Sequence, residues 1–265
     1  MLQYMIILFD VDGTLTQSAQ KISTEMLETL NELRKKDITL GLVGGGTFEK
    51  IRSQVLNSNI FKYIFAESGA IVYVDCVKVS EKNMLEYCDI KVLNEIKNKA
   101  RTIIDSFQHV LNQTDQKNKV CTIPEHTKKM DQRKGLLYIS IPGIDATIDE
   151  RQQFIKIDNQ MKLRNYIMDE LKKVDYGESF EILTGGQVGI SVSPKGFDKS
   201  QAISFLRDNK KYDITKKDTK NIYFFGDKVE LGGNDYHIYN HDKVCGIKVE
   251  NYYDTINKLK NMFLQ

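Results

Sequence analysis

The feature that most limits what this chain can fold into is an unbroken apolar run, Met5-Ile6-Ile7-Leu8-Phe9, ending in Asp10-Val11-Asp12-Gly13-Thr14. A continuous run closed by a glycine-bearing turn predicts a strand buried on both faces, as in a parallel sheet with helices on either side. The two aspartates then emerge at the carboxyl end of the strand, where open α/β sheets hold their ligands. Carboxylates this close repel unless a cation or a shared proton lies between them. The pattern therefore points to a divalent metal or an acid/base pair, and to phosphate or ester chemistry. An EF-hand loop opens with similar aspartate spacing, but its sixth and twelfth positions take Gly and Glu, where this chain has Leu15 and Lys21. A turn chosen for backbone reasons accounts for Asp12-Gly13 but not for Asp10 at a strand end.

The following residues continue the pattern. Ile22, Met26, Leu27, Leu30 and Leu33 form one stripe over residues 22–36, with Ser23 as N-cap and Glu25 in the first turn, which predicts an amphipathic helix. Ile38–Val43 reads as a second strand, Phe48–Leu56 as helix and Tyr63–Ala66 as a third strand, so a right-handed crossover sheet is under construction. Ala70–Val79 reads as a hairpin around Asp75-Cys76, and Ile90–Leu111 as a long helix. From there to Pro194 short strands predict an antiparallel sheet: Lys119–Ile123, Gly135–Ile141, Phe180–Leu183 and Gln187–Val192, with a helix from Lys162 to Val174. After Pro194-Lys195-Gly196 the first rhythm returns, with a helix from Asp198 to Arg207, strands Asn221–Phe225 and Lys243–Val249, and a final helix from Asp254. The expected fold is α/β: a Rossmann-like parallel-sheet core, discontinuous over residues 1–80 and 195–265, with an inserted α+β domain on an antiparallel sheet over residues 81–194.

Composition narrows the function classes. With 38 basic against 36 acidic residues the formal charge is only +2, so no global field favours nucleic acid or a membrane, and neither is expected as a partner. Lys128-Lys129 with Arg133-Lys134 reads as a solvated loop, as does Gln113–Lys119. No apolar run is long enough to cross a bilayer, and Met1-Leu2-Gln3-Tyr4 lacks the basic segment of a signal peptide, so a cytoplasmic location is expected. The four cysteines, Cys76, Cys88, Cys121 and Cys245, have neither zinc nor disulfide-framework spacing. His237 and His241 are four apart, but their neighbours read as a loop rather than a metal-bearing helix.

Further groups can converge on Asp10 and Asp12. Gly44-Gly45-Gly46-Thr47 offers backbone amides and a hydroxyl at a helix start, suited to phosphate oxygens. Lys199 can set an ammonium beside a phosphoryl group. Asp227 follows the apolar run Ile222–Phe225 and Gly226, and a second acidic cluster, Gly232-Gly233-Asn234-Asp235, comes next.

On Phe9-Asp10-Val11-Asp12-Gly13-Thr14-Leu15-Thr16, the Lys199 region and Phe224-Phe225-Gly226-Asp227-Lys228, the chain resembles the haloacid dehalogenase superfamily of phosphotransferases. Val43-Gly44-Gly45 with Phe48-Glu49-Lys50, Glu67-Ser68-Gly69, Gly185-Gly186-Gln187, Pro194 to Lys199 and Gly232 to Asp235 further resemble the eukaryotic phosphomannomutase family, in the same order over most of the chain. The resemblance implies a phosphotransferase interconverting hexose 6- and 1-phosphates, mannose phosphate above all, feeding GDP-mannose synthesis. It implies Asp10 as nucleophile, Asp12 as general acid and base, and Lys199 beside the phosphoryl group. Asp10, Asp227 and the Asp12 carbonyl would hold Mg²⁺, and a hexose bisphosphate would serve as phosphoryl donor. Gly45, Gly46 and Thr47 would bind phosphate. The inserted domain would act as a cap that closes over the site, recognises the sugar phosphate through Arg133 and Arg151 and through the strand bearing Gly189 and Ser191, and forms a homodimer.

Several cap positions depart from the family pattern. A third phosphate-binding arginine appears as Ile144, a serine and an aspartate appear as Gly189 and Ser191, and an arginine after the nucleophile loop appears as Ala19. The usual Gly-Gly-Ser-Asp reads Gly44-Gly45-Gly46-Thr47. Groups for phosphoryl chemistry are kept while groups that select a sugar are thinned, so altered specificity or weakened activity is expected. A sugar-phosphate or bisphosphate phosphatase and a non-catalytic scaffolding paralogue stand as alternatives.

Overall fold

The computed structural model describes residues 5–18, 20–55, 59–114, 128–175, 178–209 and 221–265. The expected strand at 119–123, most of the loop at 113–119, Cys121 and Ala19 lie outside them. The chain divides into two compact units, Met1–Lys82 with Gly196–Gln265, and Asn83–Lys195. It begins β1 (Ile6–Phe9), α1 (Thr24–Lys35), β2 (Thr39–Val43), α2 (Phe48–Val55), β3 (Tyr63–Ala66), β4 (Ile71–Val74) and β5 (Val77–Glu81). The second unit holds α3 (Ile90–Thr114), β6 (Met130–Gln132), β7 (Leu137–Ser140), α4 (Ile148–Met161), α5 (Leu163–Asp175), β8 (Phe180–Gly185) and β9 (Gly189–Pro194). The first unit then resumes with α6 (Gln201–Asp208), β10 (Ile222–Gly226), α7 (Tyr236–Tyr239), β11 (Val244–Lys248) and α8 (Tyr252–Phe263).

The first unit is a seven-stranded sheet in the order β11-β10-β1-β2-β3-β4-β5. β11 to β3 run parallel, while β4 and β5 add an antiparallel hairpin. The hairpin turns on Asp75 and Cys76, both at positive φ. β1 shows why an unbroken apolar run was needed. Ile7 and Phe9 pack on one face with Met26, Leu30 and Leu33 of α1 and Ile256 and Leu259 of α8, and Ile6 and Leu8 pack on the other with Ala202, Ile203 and Leu206 of α6. Each of these Ile, Leu, Met and Phe side chains, fully removed from water, contributes about 1.5–3 kcal/mol. Ser23 caps α1 as expected, accepting from Met26 N at 3.2 Å.

The second unit is built on a four-stranded antiparallel sheet, β6-β7-β9-β8. Buried side chains from α3 (Leu93, Ile96, Ala100, Ile104) and α5 (Ile167, Leu171) form its core with Leu137, Ile139, Ile182, Ile190 and Val192 of the strands. Two corrections to the sequence reading arise here. Residues 128–134, read as a solvated loop, contain β6, whose Met130 pairs with Ile139. The helix expected from Lys162 is preceded by a second helix, α4, and Lys162 itself is the left-handed residue between the two. α4 starts at a capping box in which Thr147 and Glu150 bond each other's backbone N–H, a device that contributes about 1 kcal/mol. It escaped a pattern reading because it buries so little, Phe154 and Asp158 being its buried residues.

Candidate active site

The ends of β1 and β10 are locked together before any side chain is considered. Asp10 N donates to Phe225 O at 2.9 Å, extending the parallel ladder so that Asp10 and Asp227 leave adjacent strands side by side. The chain then curls back: Leu15 and Thr16 N both donate to Val11 O at 3.0 Å, and Gly13 N donates to Thr16 O at 2.8 Å. Gly13 has φ +93°, and a Cβ there would lie 2.5 Å from Asp227 Oδ2. Only glycine fits this turn against that carboxylate. The loop is pinned from the far end of the sequence, where the buried Thr255 of α8 donates its hydroxyl to Thr14 O at 2.7 Å.

Lys199 reaches this point from the turn before α6. It is 1% exposed, and its ammonium donates to Asp10 Oδ1 and, at 2.6 Å, to Asp235 Oδ1. Asp235, wholly buried, is itself held by Lys228, whose N donates to its Oδ2 at 3.1 Å. Lys228 Nζ lies 2.8 Å from Asp227 Oδ2. Three carboxylates thus share two ammonium groups. Burial pushes the Asp10 carboxyl up to about 7, since Lys199's attraction is outweighed by desolvation together with repulsion from Asp235 and Asp227. Burial also raises Asp227, again with Asp235 adding to it. For Lys199 burial acts the other way, favouring the neutral amine, but Asp10 and Asp235 overcome it and keep the ammonium charged.

The electrostatics favour more positive charge at this point. Ligand oxygens of Asp10, Asp227 and Asp235 lie within 4.8 Å of one another, and Asp227 Oδ1 is buried with no hydrogen-bond partner among the described residues. A buried carboxylate oxygen left unpaired is costly, and an all-oxygen anionic donor set suits a hard divalent cation such as Mg²⁺. The residues therefore fit the ion.

Asp12 stands apart from that cluster. Its Oδ1 accepts from Gln54 Nε2 at 2.7 Å, and its Oδ2 lies 3.7 Å from Lys50 Nζ. Lys50 and Gln54 are four residues apart on α2, so one helix face presents both. Thr47 is committed to the same helix, its hydroxyl accepting from Lys50 N at 3.3 Å. Gly45 lies near Ser68, and Gly44 O and Gly46 O accept from Ser68 N and Glu67 N, fixing the phosphate-loop candidates against residues 67–68.

The remaining candidates lie in the second unit. Arg133 Nε donates to Asp131 Oδ2 at 2.7 Å, and its guanidinium sits 4.9 Å from the centroid of Tyr138. Arg151 is turned onto its own loop, bonding Ala146 O at 2.9 Å and Ile144 O at 2.8 Å. Gly189 is buried against Tyr138, and Ser191 donates its hydroxyl to Leu183 O at 3.4 Å. Sequence reasoning missed Gln54, Lys228 and Tyr138, and noted Asp235 only as part of an acidic cluster. Gln54 had a signal: a polar residue on the apolar stripe of a short helix.

The doubly wound core, with carboxylates gathered at the ends of β1 and β10, places the chain in the haloacid dehalogenase-like fold class. A Plasmodium falciparum IMP-nucleotidase is similar in structure, with a TM-score of 0.61 at 14% identity over 99% of this chain and 71% of that one. Residues 26–265 match the family model described as eukaryotic phosphomannomutase, and the chain belongs to that family. Relatives include a phosphomannomutase 2 of Dictyostelium discoideum, 35% identical over 98% of this chain and 97% of its own, and a phosphomannomutase of Babesia bovis, 32% identical over 97% of each.

Proposed function

We propose that this chain is a Mg²⁺-dependent hexose-phosphate mutase acting on mannose 1- and 6-phosphates. The observation that carries the reading is the buried Asp10–Lys199–Asp235 arrangement, beside an Asp227 oxygen with no hydrogen-bond partner among the described residues, in a chain that matches phosphomannomutases over nearly its whole length. Asp10 attacks a phosphoryl group of a sugar bisphosphate and becomes an aspartyl phosphate. Lys199, held charged between Asp10 and Asp235, offsets the negative charge that accumulates at that carboxylate. Asp12 delivers a proton to the departing sugar oxygen and takes one from the accepting hydroxyl, and Gln54 fixes the orientation in which it does so. Asp10, Asp227 and the Asp12 carbonyl would hold Mg²⁺, with Asp235 close behind, and the ion would supply charge neutralisation for the transferring group.

Gly45, Gly46 and Thr47 line the entry to α2, where backbone amides suit phosphate oxygens. Residues 81–194 form the cap that selects the substrate, with Arg133 for phosphate and Arg151, Gly189 and Ser191 around it. A homodimer through this unit and a cytoplasmic location belong to the same reading. Among the described residues no helix is long and apolar enough to cross a membrane.

The test is a panel of hexose 1- and 6-phosphates with Mg²⁺ and a catalytic hexose bisphosphate, scored for both isomer and free phosphate. Isomerised mannose phosphate that vanishes in Asp10→Asn is expected. Free phosphate alone would select the phosphatase, and no product from intact protein would reject the enzyme.

A further inference from the structure

The four-stranded sheet of the second unit has one face packed by α5, with α3 against α5, and another that carries a different set of residues. Strand register aligns Asp131, Tyr138, Ser191 and Leu183 in one row across β6, β7, β9 and β8, and none of the four is buried. Their neighbours along the strands, Leu137, Ile139, Ile190, Val192 and Ile182, are buried, as the two-residue alternation of strands requires. The row beside it is nearly bare: Ser140 pairs with Gly189, and Gly189 pairs with Gly185.

The Tyr138 ring lies across that bare row. A Cβ on Gly189 would fall 2.4 Å from Cε2, Cζ and Oη of Tyr138, and one on Gly185 would fall 3.0 Å from Cε2. The phenol edge therefore occupies the space that a side chain at 189 would need, and its hydroxyl comes near Gly186, 3.9 Å from where that residue's Cβ would stand. The Arg133 guanidinium is stacked on the ring and oriented by Asp131. One platform thus combines a fixed cation, an aromatic ring and a phenolic hydroxyl, at the place where the family pattern carries serine and this chain has glycine.

We propose that Tyr138 is a specificity-determining residue that replaces the missing side chain of Gly189. With Arg133 holding the phosphate of a hexose phosphate, the Tyr138 hydroxyl bonds a ring hydroxyl of the sugar. This rests on the mutase reading above and deepens it. It explains the pairing of a bulky aromatic at 138 with glycine at 189, since the ring fills the space that the family's serine at 189 would need.

Tyr138→Phe is the deciding variant, because it keeps the ring over the glycines and under Arg133 while removing only the hydroxyl. Loss of one net hydrogen bond raises KM for mannose 1-phosphate roughly tenfold, with kcat held within about twofold. KM for glucose 1-phosphate shifts by a different factor, because the hydroxyl reads one sugar configuration. Identical KM values for wild type and Tyr138→Phe on both sugars would overturn the proposal and leave Tyr138 as a space-filler over Gly189. If the wild type turns over neither sugar, the mutase reading fails separately, and calorimetric binding of mannose 1-phosphate decides the matter. Binding weakened roughly tenfold in Tyr138→Phe supports the role, while equal affinity, or no binding by either protein, refutes it.

Discussion

Asp10→Asn abolishes the proposed nucleophile, yet the structure requires that it stabilise the metal-free protein at neutral pH. Asp10 is 6% exposed, so water gives little relief to its charge, and its carboxyl titrates near 7 rather than 3.8. The folded pKa lies above the unfolded one, so stability is full below 3.8 and is lost as pH rises through about 7. At about 1.4 kcal/mol per pKa unit, the raised pKa of Asp10 costs about 2 kcal/mol of folding stability at pH 5, where the folded chain keeps a proton that the unfolded chain has lost, and about 4 kcal/mol at pH 8, where both are ionised. Asparagine is uncharged and of the same size, and Lys199 keeps its 2.6 Å contact with Asp235. Urea denaturation with a chelator present should therefore find Asp10→Asn more stable than wild type by several kcal/mol at pH 8, with the gap about halved at pH 5. Mg²⁺ should narrow the gap at pH 8 by raising the wild type, since the ion takes the proton's place among Asp10, Asp227 and Asp235. An Asp10→Asn protein equal to or weaker than wild type at pH 8 in chelator would refute the argument that burial outweighs Lys199.

Two further outcomes follow from the same cluster. Lys199→Met leaves Asp10 and Asp235 buried without their shared cation and should lower unfolding free energy by about 3–5 kcal/mol at pH 8, measured by urea titration, with a smaller loss at pH 5 where Asp10 holds its proton. Gln54→Ala removes the amide that orients Asp12 and should lower kcat roughly tenfold while moving KM for the sugar phosphate less than about twofold, since binding does not use that bond.

The core was legible because its physics is local and repetitive. An apolar run that must be buried on both faces can only be an interior parallel strand, and β1, β2, β3 and β10 announced themselves that way. Ser23 at the start of α1 and the Asp75-Cys76 turn were equally readable, since capping and left-handed turn chemistry depend on a few adjacent residues. The second unit was less so. β6 is three residues long and carries Asp131 and Gln132, so its strand character comes from pairing with β7 rather than from its own side chains. α4 shows one apolar anchor, Phe154, where a readable helix shows a stripe. In the site, Asp10, Asp12, Lys199 and Asp227 could be named from strand ends and resemblance. The hold of Gln54 on Asp12, and of Tyr138 on the Gly189 strand, depends on residues 42 and 51 positions apart in sequence. No short-range pattern carries such information.

Thr255 bonding the carbonyl of Thr14 joins positions 241 residues apart, and this has a consequence for how the protein is made. Asp10 leaves the ribosome well before Lys199 and Asp235, and the helix that pins the Asp10 loop follows all of them. At about 5–20 residues per second, the nascent loop waits about 10–50 seconds for its anchor. During that interval β1 has neither β10 nor α8 beside it, and its apolar side chains are left to whatever chaperone attends the growing chain. A stop codon placed just before α8 would thus spare every proposed catalytic group and still leave the loop beneath them unfastened.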